Sequence, residues 1–246
     1  MKTAKMKNIA VIPARSGSKG LKDKNIKELR GIPLLAYSIN AARASGLFDE
    51  IMVSTDSSLY ADIAMQYGAS VPFLRSREQS GDNAGSWDTV EEVLSGYLKA
   101  AKFFETVCLL QPTSPLREAE DIVNGYKLFR DKNADAVTSV CEADHSPLWF
   151  MTLTDDLSLV QFRKNQEAAV PRQQLEKYYR INGALYIRKI CYEHKSLYLK
   201  NEREYAFIMD RKRSVDIDVE LDFQMAEFLL GGGVNSLSIY ASVERR

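Results

Sequence analysis

Short apolar runs alternate with amphipathic helical stretches through the first 140 residues, and this alternation most narrows the folds open to the chain. Residues 8–14 (Asn-Ile-Ala-Val-Ile-Pro-Ala), 51–55, 106–110 and 136–140 are short, apolar and partly β-branched, which suits buried strands. Between them, Leu35, Ile39 and Ala42 recur at helical spacing after Pro33, which suits a first helical turn, and before Gly46. A helix over 58–67 stops at Gly68, and Val90, Val93, Leu94, Tyr97, Leu98 and Ala101 form one stripe after Ser86. Another helix is expected over 119–131. The pattern predicts the α/β class: a mostly parallel sheet flanked by helices.

Further along, 71–74 reads as a short extended piece, 183–187 as an apolar strand, and Leu221, Met225, Phe228 and Leu229 as a last helix ending at Gly231. Between Asp144 and Tyr179 the alternation breaks down into a stretch with His145, Pro147, Trp149, Phe150 and Phe162. So long an irregular connection is unusual in a compact domain and is expected to have a purpose, such as contact between subunits. The glycines at 231–233 read as a link to a flexible tail reaching residue 246.

Lysines and arginines number 33, as do aspartates and glutamates, so bulk charge gives no reason to expect nucleic acid or an anionic membrane as partner. Cys108, Cys141 and Cys191 lie far apart with no Cys-x-x-Cys pair and read as reduced thiols. The basic residues before Asn8 are followed by an apolar run that ends at Arg15, too short for a signal segment or a membrane span. A cytoplasmic protein is expected. His145 and His194 have no nearby metal-ligand or triad pattern and read as structural or exposed.

Two stretches carry chemistry. The first strand runs into Arg15-Ser16-Gly17-Ser18-Lys19-Gly20-Leu21-Lys22-Asp23-Lys24-Asn25. Glycines let backbone N–H groups approach an anion closely, Arg forks across two oxygens and Lys supplies a point charge, so the loop suits a polyphosphate. It matches neither the P-loop nor the Gly-x-Gly-x-x-Gly pattern, and a solvated turn has a similar composition. The second stretch is Ser214-Val215-Asp216-Ile217-Asp218. Read as a strand, it puts Asp216 and Asp218 on one face with Val215 and Ile217 packing inward on the other. Two such carboxylates repel unless a cation lies between them, and a set of hard oxygens suits Mg²⁺ shared with phosphates. Helix capping is an additional role open to Asp218, and Asp56, closing the strand at 51–55, is either a helix cap or a nucleotide contact. Between them, Gln111-Pro112-Thr113-Ser114-Pro115-Leu116-Arg117 makes a rigid polar turn at a strand's carboxyl end, where open α/β sheets bind ligands.

Taken together, Ile12-Pro13-Ala14-Arg15-Ser16-Gly17-Ser18-Lys19-Gly20 with Lys24-Asn25, Ser54-Thr55-Asp56, the turn from Gln111 to Arg117, Asn182-Gly183-Ala184-Leu185-Tyr186-Ile187 and Ser214-Val215-Asp216-Ile217-Asp218 closely resemble the acylneuraminate cytidylyltransferases. The resemblance runs in order from about Ile9 to Leu230. It implies a nucleotide-diphospho-sugar transferase (Rossmann-like) fold, one cytidylyltransferase domain over 1–246, and a homodimer whose insertion at about 144–180 reaches the partner's site. The implied reaction joins CTP to a nine-carbon acidic sugar, N-acetylneuraminic acid, giving the CMP-sugar and pyrophosphate with Mg²⁺ as cofactor. By the same resemblance Arg15, Ser18, Lys24, Asn25, Arg75 and Ser86 bind the nucleotide, and Gln111, Arg172, Asn182 and Tyr186 line the sugar side. Asp216 and Asp218 hold the metal. Arg15, Lys24, Arg172 and Asp218 are the expected catalytic set, with Asp218 or a metal-bound water taking the sugar hydroxyl's proton. Relatives that activate legionaminic acid carry nearly the same loop and acidic pair, and Trp149 stands where some sialate-activating relatives have a basic residue. A non-catalytic nucleotide-binding module is the distant alternative.

Overall fold

The structure, a computed structural model, describes residues 7–17, 20–76, 78–81, 85–165, 176–193 and 203–231. Its first strand is β1 (Asn8–Pro13), whose residues alternate between two buried faces. A loop and a two-residue hairpin, β2 (Glu28–Leu29) and β3 (Ile32–Pro33), lead into α1 (Leu34–Ser45). The hairpin turns on Arg30 and Gly31, both at positive φ, as its tight reversal requires. Pro33 therefore ends a strand and immediately precedes the helix instead of opening it. Gly46 closes α1 in the left-handed conformation, the role its position suggested.

The chain continues through β4 (Glu50–Ser54), α2 (Ser58–Gln66), α3 (Ser86–Lys99), β5 (Thr106–Leu109), α4 (Ala119–Asp131) and β6 (Ala136–Glu142). After the short α5 (Val160–Asn165) come β7 (Tyr179–Lys189), β8 (Glu204–Ile208) and α6 (Glu220–Leu230). The six-stranded sheet has the order β4-β1-β5-β7-β6-β8. β7 is antiparallel to both its neighbours, and the other pairs are parallel. Ile9 and Val11 point to one face, where they meet Val90, Val93, Leu94 and Tyr97 of α3. Ala10 and Ile12 point to the other, against Leu35 and Ile39 of α1 and Ile122, Tyr126 and Phe129 of α4. Each such fully buried aliphatic side chain contributes roughly 1.5–3 kcal/mol, so β1 anchors both layers at once.

Three sequence expectations change. Residues 71–74 are not a strand: a single parallel bridge joins Ser70 to Met52 and the chain then bends away. Residues 214–218 are not a strand either, and follow a 3-10 turn at Arg211–Arg213 as irregular backbone. The sixth strand is instead β8, whose Tyr205 and Phe207 pack against the main core while Glu204, Ala206 and Ile208 face out. The segment between β6 and β7 is as irregular as expected within its described part, with a 3-10 turn at Pro147–Trp149 and α5. Phe150, Leu153, Leu157 and Val160 are each at least 60 % exposed there. Residues 166–175, and the tail from residue 232, lie outside the described residues. Among the described residues no helix is long and apolar enough to cross a membrane.

Candidate active site

β1, β4 and β5 run parallel and release their chains on the same edge of the sheet, which places three loops side by side. After β1, the Ala14 N–H donates to the Ser54 carbonyl at 2.8 Å, so the basic loop leaves alongside the end of β4. Asn25 folds the loop back by donating from Nδ2 to the Arg15 carbonyl at 2.9 Å. Lys24 reaches across to the far end of the sequence: its Nζ donates to the Ile217 carbonyl at 2.7 Å and to Asp218 Oδ1 at 3.1 Å. Gly20 lies so close to that segment that a Cβ there would stand 2.5 Å from the Asp218 carbonyl oxygen. The basic loop and the acidic stretch, 193 residues apart in sequence at the Lys24–Ile217 bond, are in direct contact.

Arg15, Lys24, Asn25, Arg75, Ser86, Gln111 and Asp218 line one cavity of about 480 Å³, together with Gly20, Thr89 and Thr113 among others. Arg75 is buried, donating from Nε to Ser54 Oγ at 3.1 Å and from Nη2 to the Ser54 carbonyl at 2.9 Å. Burial lowers its pKa, an effect opposed by the carboxylates of Asp56 and Glu92. Ser86 opens α3, and its hydroxyl accepts from Gln111 Nε2 at 3.4 Å. Arg117, which the polar turn carries without an assigned role, is also buried: Nη1 donates to the Ala184 carbonyl at 2.5 Å and Nη2 to Ser38 Oγ. Burial pushes its pKa down to about 10. Nη1 also donates to the Gln111 carbonyl at 3.4 Å, so Arg117 clamps the start of the polar turn to α1 and to the backbone of β7.

The two carboxylates occupy unlike environments. Ile217 is fully buried, with Val215 packed on the same cluster as Leu29, Leu34 and Phe223, so the apolar residues point inward as the alternation suggested. Ile217 N–H donates to the Thr113 carbonyl at 2.8 Å, which replaces strand pairing as the constraint on this stretch. Asp216 is partly buried, and its Oδ1 lies inside the protein with no hydrogen-bond partner among the described residues. Burial raises the Asp216 pKa, the Thr113 hydroxyl lowers it, and the Asp218 charge raises it further. Asp218 is exposed. It does not cap α6: the N–H groups of Asp218 and Val219 both donate to Asp222 Oδ2 at 2.9 Å, so Asp222 takes the capping role and leaves the Asp218 carboxylate available.

Asn182 was expected on the sugar side but is 1 % exposed and wholly engaged inside the protein. Its Oδ1 accepts from Ser139 Oγ at 2.6 Å and its Nδ2 donates to Ser214 Oγ at 2.9 Å, so it ties β7 and β6 to the start of the acidic segment. The next residue, Gly183, has φ +76°, and a Cβ there would come 2.7 Å from Gln111 Oε1 and 3.4 Å from Asp216 Oδ2. Only glycine fits between those two groups. Tyr186 is partly buried, and burial followed by the Asp216 charge raises its pKa. Its ring meets Trp87 edge-on at 6.2 Å, and the Arg188 guanidinium lies over the Trp87 ring, 4.0 Å from its centroid. Arg180, not singled out in the sequence, acts on Asp216 electrostatically and donates to the Ser214 carbonyl at 3.2 Å. Its signal was available only as a cation two residues before Asn182. Ser18 and Arg172 lie outside the described residues.

The chain as a whole has known relatives. The family model described as cytidylyltransferase matches residues 9–244. The chain is 37% identical over 227 residues to CMP-N,N'-diacetyllegionaminic acid synthase of Legionella pneumophila, covering 92% of this chain and 97% of that one. It is 39% identical over 225 residues to N-acylneuraminate cytidylyltransferase of Streptococcus agalactiae, covering 89% of this chain and spanning about half (52%) of that relative. A CMP:2-keto-3-deoxy-manno-octonic acid synthetase solved with CTP shares the fold, with a TM-score of 0.66 at 14% identity over 92% of this chain and 99% of that one.

Proposed function

This chain belongs to the cytidylyltransferase family, and on that footing we propose that it couples CTP to a nine-carbon 2-keto acid sugar, N-acetylneuraminic acid, releasing pyrophosphate. The observation that carries the reading is the contact between the two halves of the site. Arg15 and Lys24 face the same cavity as Asp218, and Asp216 lies near enough to Asp218 and Lys24 to interact with both charges. In the reaction, the anomeric 2-hydroxyl oxygen forms a bond to the α-phosphorus. The bond from that phosphorus to the α,β-bridging oxygen breaks, and its electron pair leaves with pyrophosphate. There is little covalent work for the protein; positioning and charge neutralisation dominate. Arg15 and Lys24 hold the triphosphate and offset the charge that builds on the leaving group. Arg172 is assigned to the sugar carboxylate. Asp218, exposed beside Lys24, takes the hydroxyl proton.

The residues present fit Mg²⁺. A buried, unpartnered Asp216 oxygen and an exposed Asp218 carboxylate form a hard-oxygen pair that leaves coordination positions for phosphate oxygens and water. When bound there, Mg²⁺ supplies Lewis-acid neutralisation of the phosphates. We also assign a homodimer to the exposed apolar face of Phe150, Leu153, Leu157 and Val160, because an apolar surface of that kind marks an interaction site. Free cysteines and a nucleotide substrate fit a cytoplasmic setting.

A second sugar is supported by the near full-length match to the legionaminic acid enzyme. The test is pyrophosphate release from CTP and Mg²⁺ with N-acetylneuraminic acid or N,N'-diacetyllegionaminic acid offered separately. Release with the first, abolished in Asp216→Ala, is the expected result. Release with the second alone moves the substrate and keeps the site, and CTP binding without release from either overturns the catalytic reading.

A further inference from the structure

Asp56 sits at the end of β4, where a helix cap or a nucleotide contact would both be ordinary roles. It is neither. Ser57 caps α2, its hydroxyl accepting from the Tyr60 N–H at 3.4 Å, and Asp56 does not line the cavity. Its carboxylate instead accepts twice from one residue of the basic loop: the Ser16 N–H donates to Oδ1 at 2.7 Å and the Ser16 hydroxyl to Oδ2 at 2.8 Å. Burial opposes ionisation of Asp56, yet the Ser16 hydrogen bonds outweigh it and hold the carboxyl below its ordinary value. One turn further along α2, the Tyr60 hydroxyl donates to Asp23 Oδ1 at 3.0 Å. Asp23 has φ +50°, a left-handed conformation that a non-glycine residue keeps only where its surroundings hold it. Tyr60 is 2 % exposed and so is a fixed anchor.

These bonds grip the loop at both ends, one residue beyond Arg15 and one residue before Lys24, the two cations that face the cavity. A glycine- and serine-containing loop loses backbone freedom when it is ordered around a ligand. Bonds that fix it beforehand remove part of that cost from nucleotide binding. We propose that Asp56 and Tyr60 are positioning residues that hold the basic loop in its triphosphate-binding shape from outside the cavity. The inference rests on the reading of that cavity as a CTP site, and it predicts a selective effect: the nucleotide side weakens while the sugar side does not.

The experiment is calorimetric titration of CTP, with Mg²⁺ and without sugar, into the wild type and the Asp56→Asn, Tyr60→Phe and Ser16→Ala variants, with KM for each substrate measured alongside. Asp56→Asn removes the carboxylate charge and one of its two acceptors and is expected to weaken CTP binding about tenfold. Tyr60→Phe, which loses a single hydroxyl, should cost about three- to fivefold. KM for the sugar at saturating CTP should stay within twofold in both. Because Ser16 acts through Asp56, the Ser16→Ala/Asp56→Asn double variant should bind CTP no more weakly than Asp56→Asn alone. Variants that bind CTP within twofold of wild type, or that raise both KM values alike, overturn the positioning role. A wild type that binds CTP but releases no pyrophosphate overturns only the proposed reaction, and the binding comparison still decides the loop. A wild type that binds no CTP overturns both.

Discussion

The loop after β1 and the segment between β6 and β7 are both long irregular connections, yet they dispose of their side chains in opposite ways. The first is tied at three points to two distant parts of the chain, through Ser16 to Asp56 and Asp23 to Tyr60 at the start of α2, and through Lys24 to Ile217. In the second, side-chain hydrogen bonds such as Thr154 to Asp156 at 2.5 Å and the Ser158 N–H to Asp156 at 3.1 Å span two residues. Its large apolar residues stand in solvent. The described parts of the polar loop, residues 15–17 and 20–25, are held by bonds within one chain. In the proposed dimer, the exposed Phe150 and Leu157 of the second segment gain their burial from the other copy.

That contrast can be broken most forcefully at the pinned end. Lys24→Ala removes a cation from the cavity and leaves Asp218 uncompensated; kcat/KM should fall by about 10²–10³-fold in a pyrophosphate-release assay. Asp216→Asn should lower turnover by a similar factor and stabilise the free protein. Its carboxyl is raised on folding from an ordinary value of 3.8, so the folded state binds that proton more tightly and stability falls as pH rises from about 4 toward the raised value. Removing the charge is expected to raise the melting temperature at neutral pH by roughly 2–4 °C, the shift about 1 kcal/mol gives a chain of this size. Retention of the wild-type melting temperature would show that the orphaned oxygen costs nothing.

The apolar segment predicts the reverse pattern. Phe150→Asp with Leu153→Asp should shift a dimer toward monomer in sedimentation velocity while CTP affinity stays within about threefold, since neither residue lines the nucleotide cavity. Unchanged sedimentation would remove the dimer assignment. The smallest effect concerns the sheet edge, where Glu50 accepts from Lys102 and Ser70. Burial raises its pKa, but those bonds win and hold it below the ordinary 4.5. A depressed carboxyl contributes stability that is complete above about pH 4.5 and lost as pH falls through its folded value. After allowance for solvent screening that contribution is below ~1 kcal/mol. Glu50→Gln should therefore flatten the acid limb of the melting curve slightly and leave neutral-pH activity alone.

Much of the fold was legible because burial imposes a period. Ile9, Val11 and their alternating neighbours, and the stripe from Val90 to Tyr97, repeat at the spacing their elements need. β8 escaped because Tyr205 and Phe207 alternate over only five residues, too short a run to stand out beside a long irregular region. The false strand at 214–218 has the same cause in reverse: Val215 and Ile217 alternate with the two aspartates, but Ile217 bonds to the Thr113 carbonyl of a loop and finds no strand to pair with.

By itself the sequence determined which residue types were available for phosphate and metal, because charge and glycine content are properties of the residues alone. It also determined the strand-helix alternation, because each element's buried face must repeat at that element's own period. The tertiary structure decided which of those residues meet. Lys24 touches Asp218, Asn182 turns inward to hold Ser214, and Asp56 grips Ser16. Each of those outcomes depends on contacts between residues from 32 to 194 positions apart, set by how helices pack on a sheet, and local preference carries no information about them.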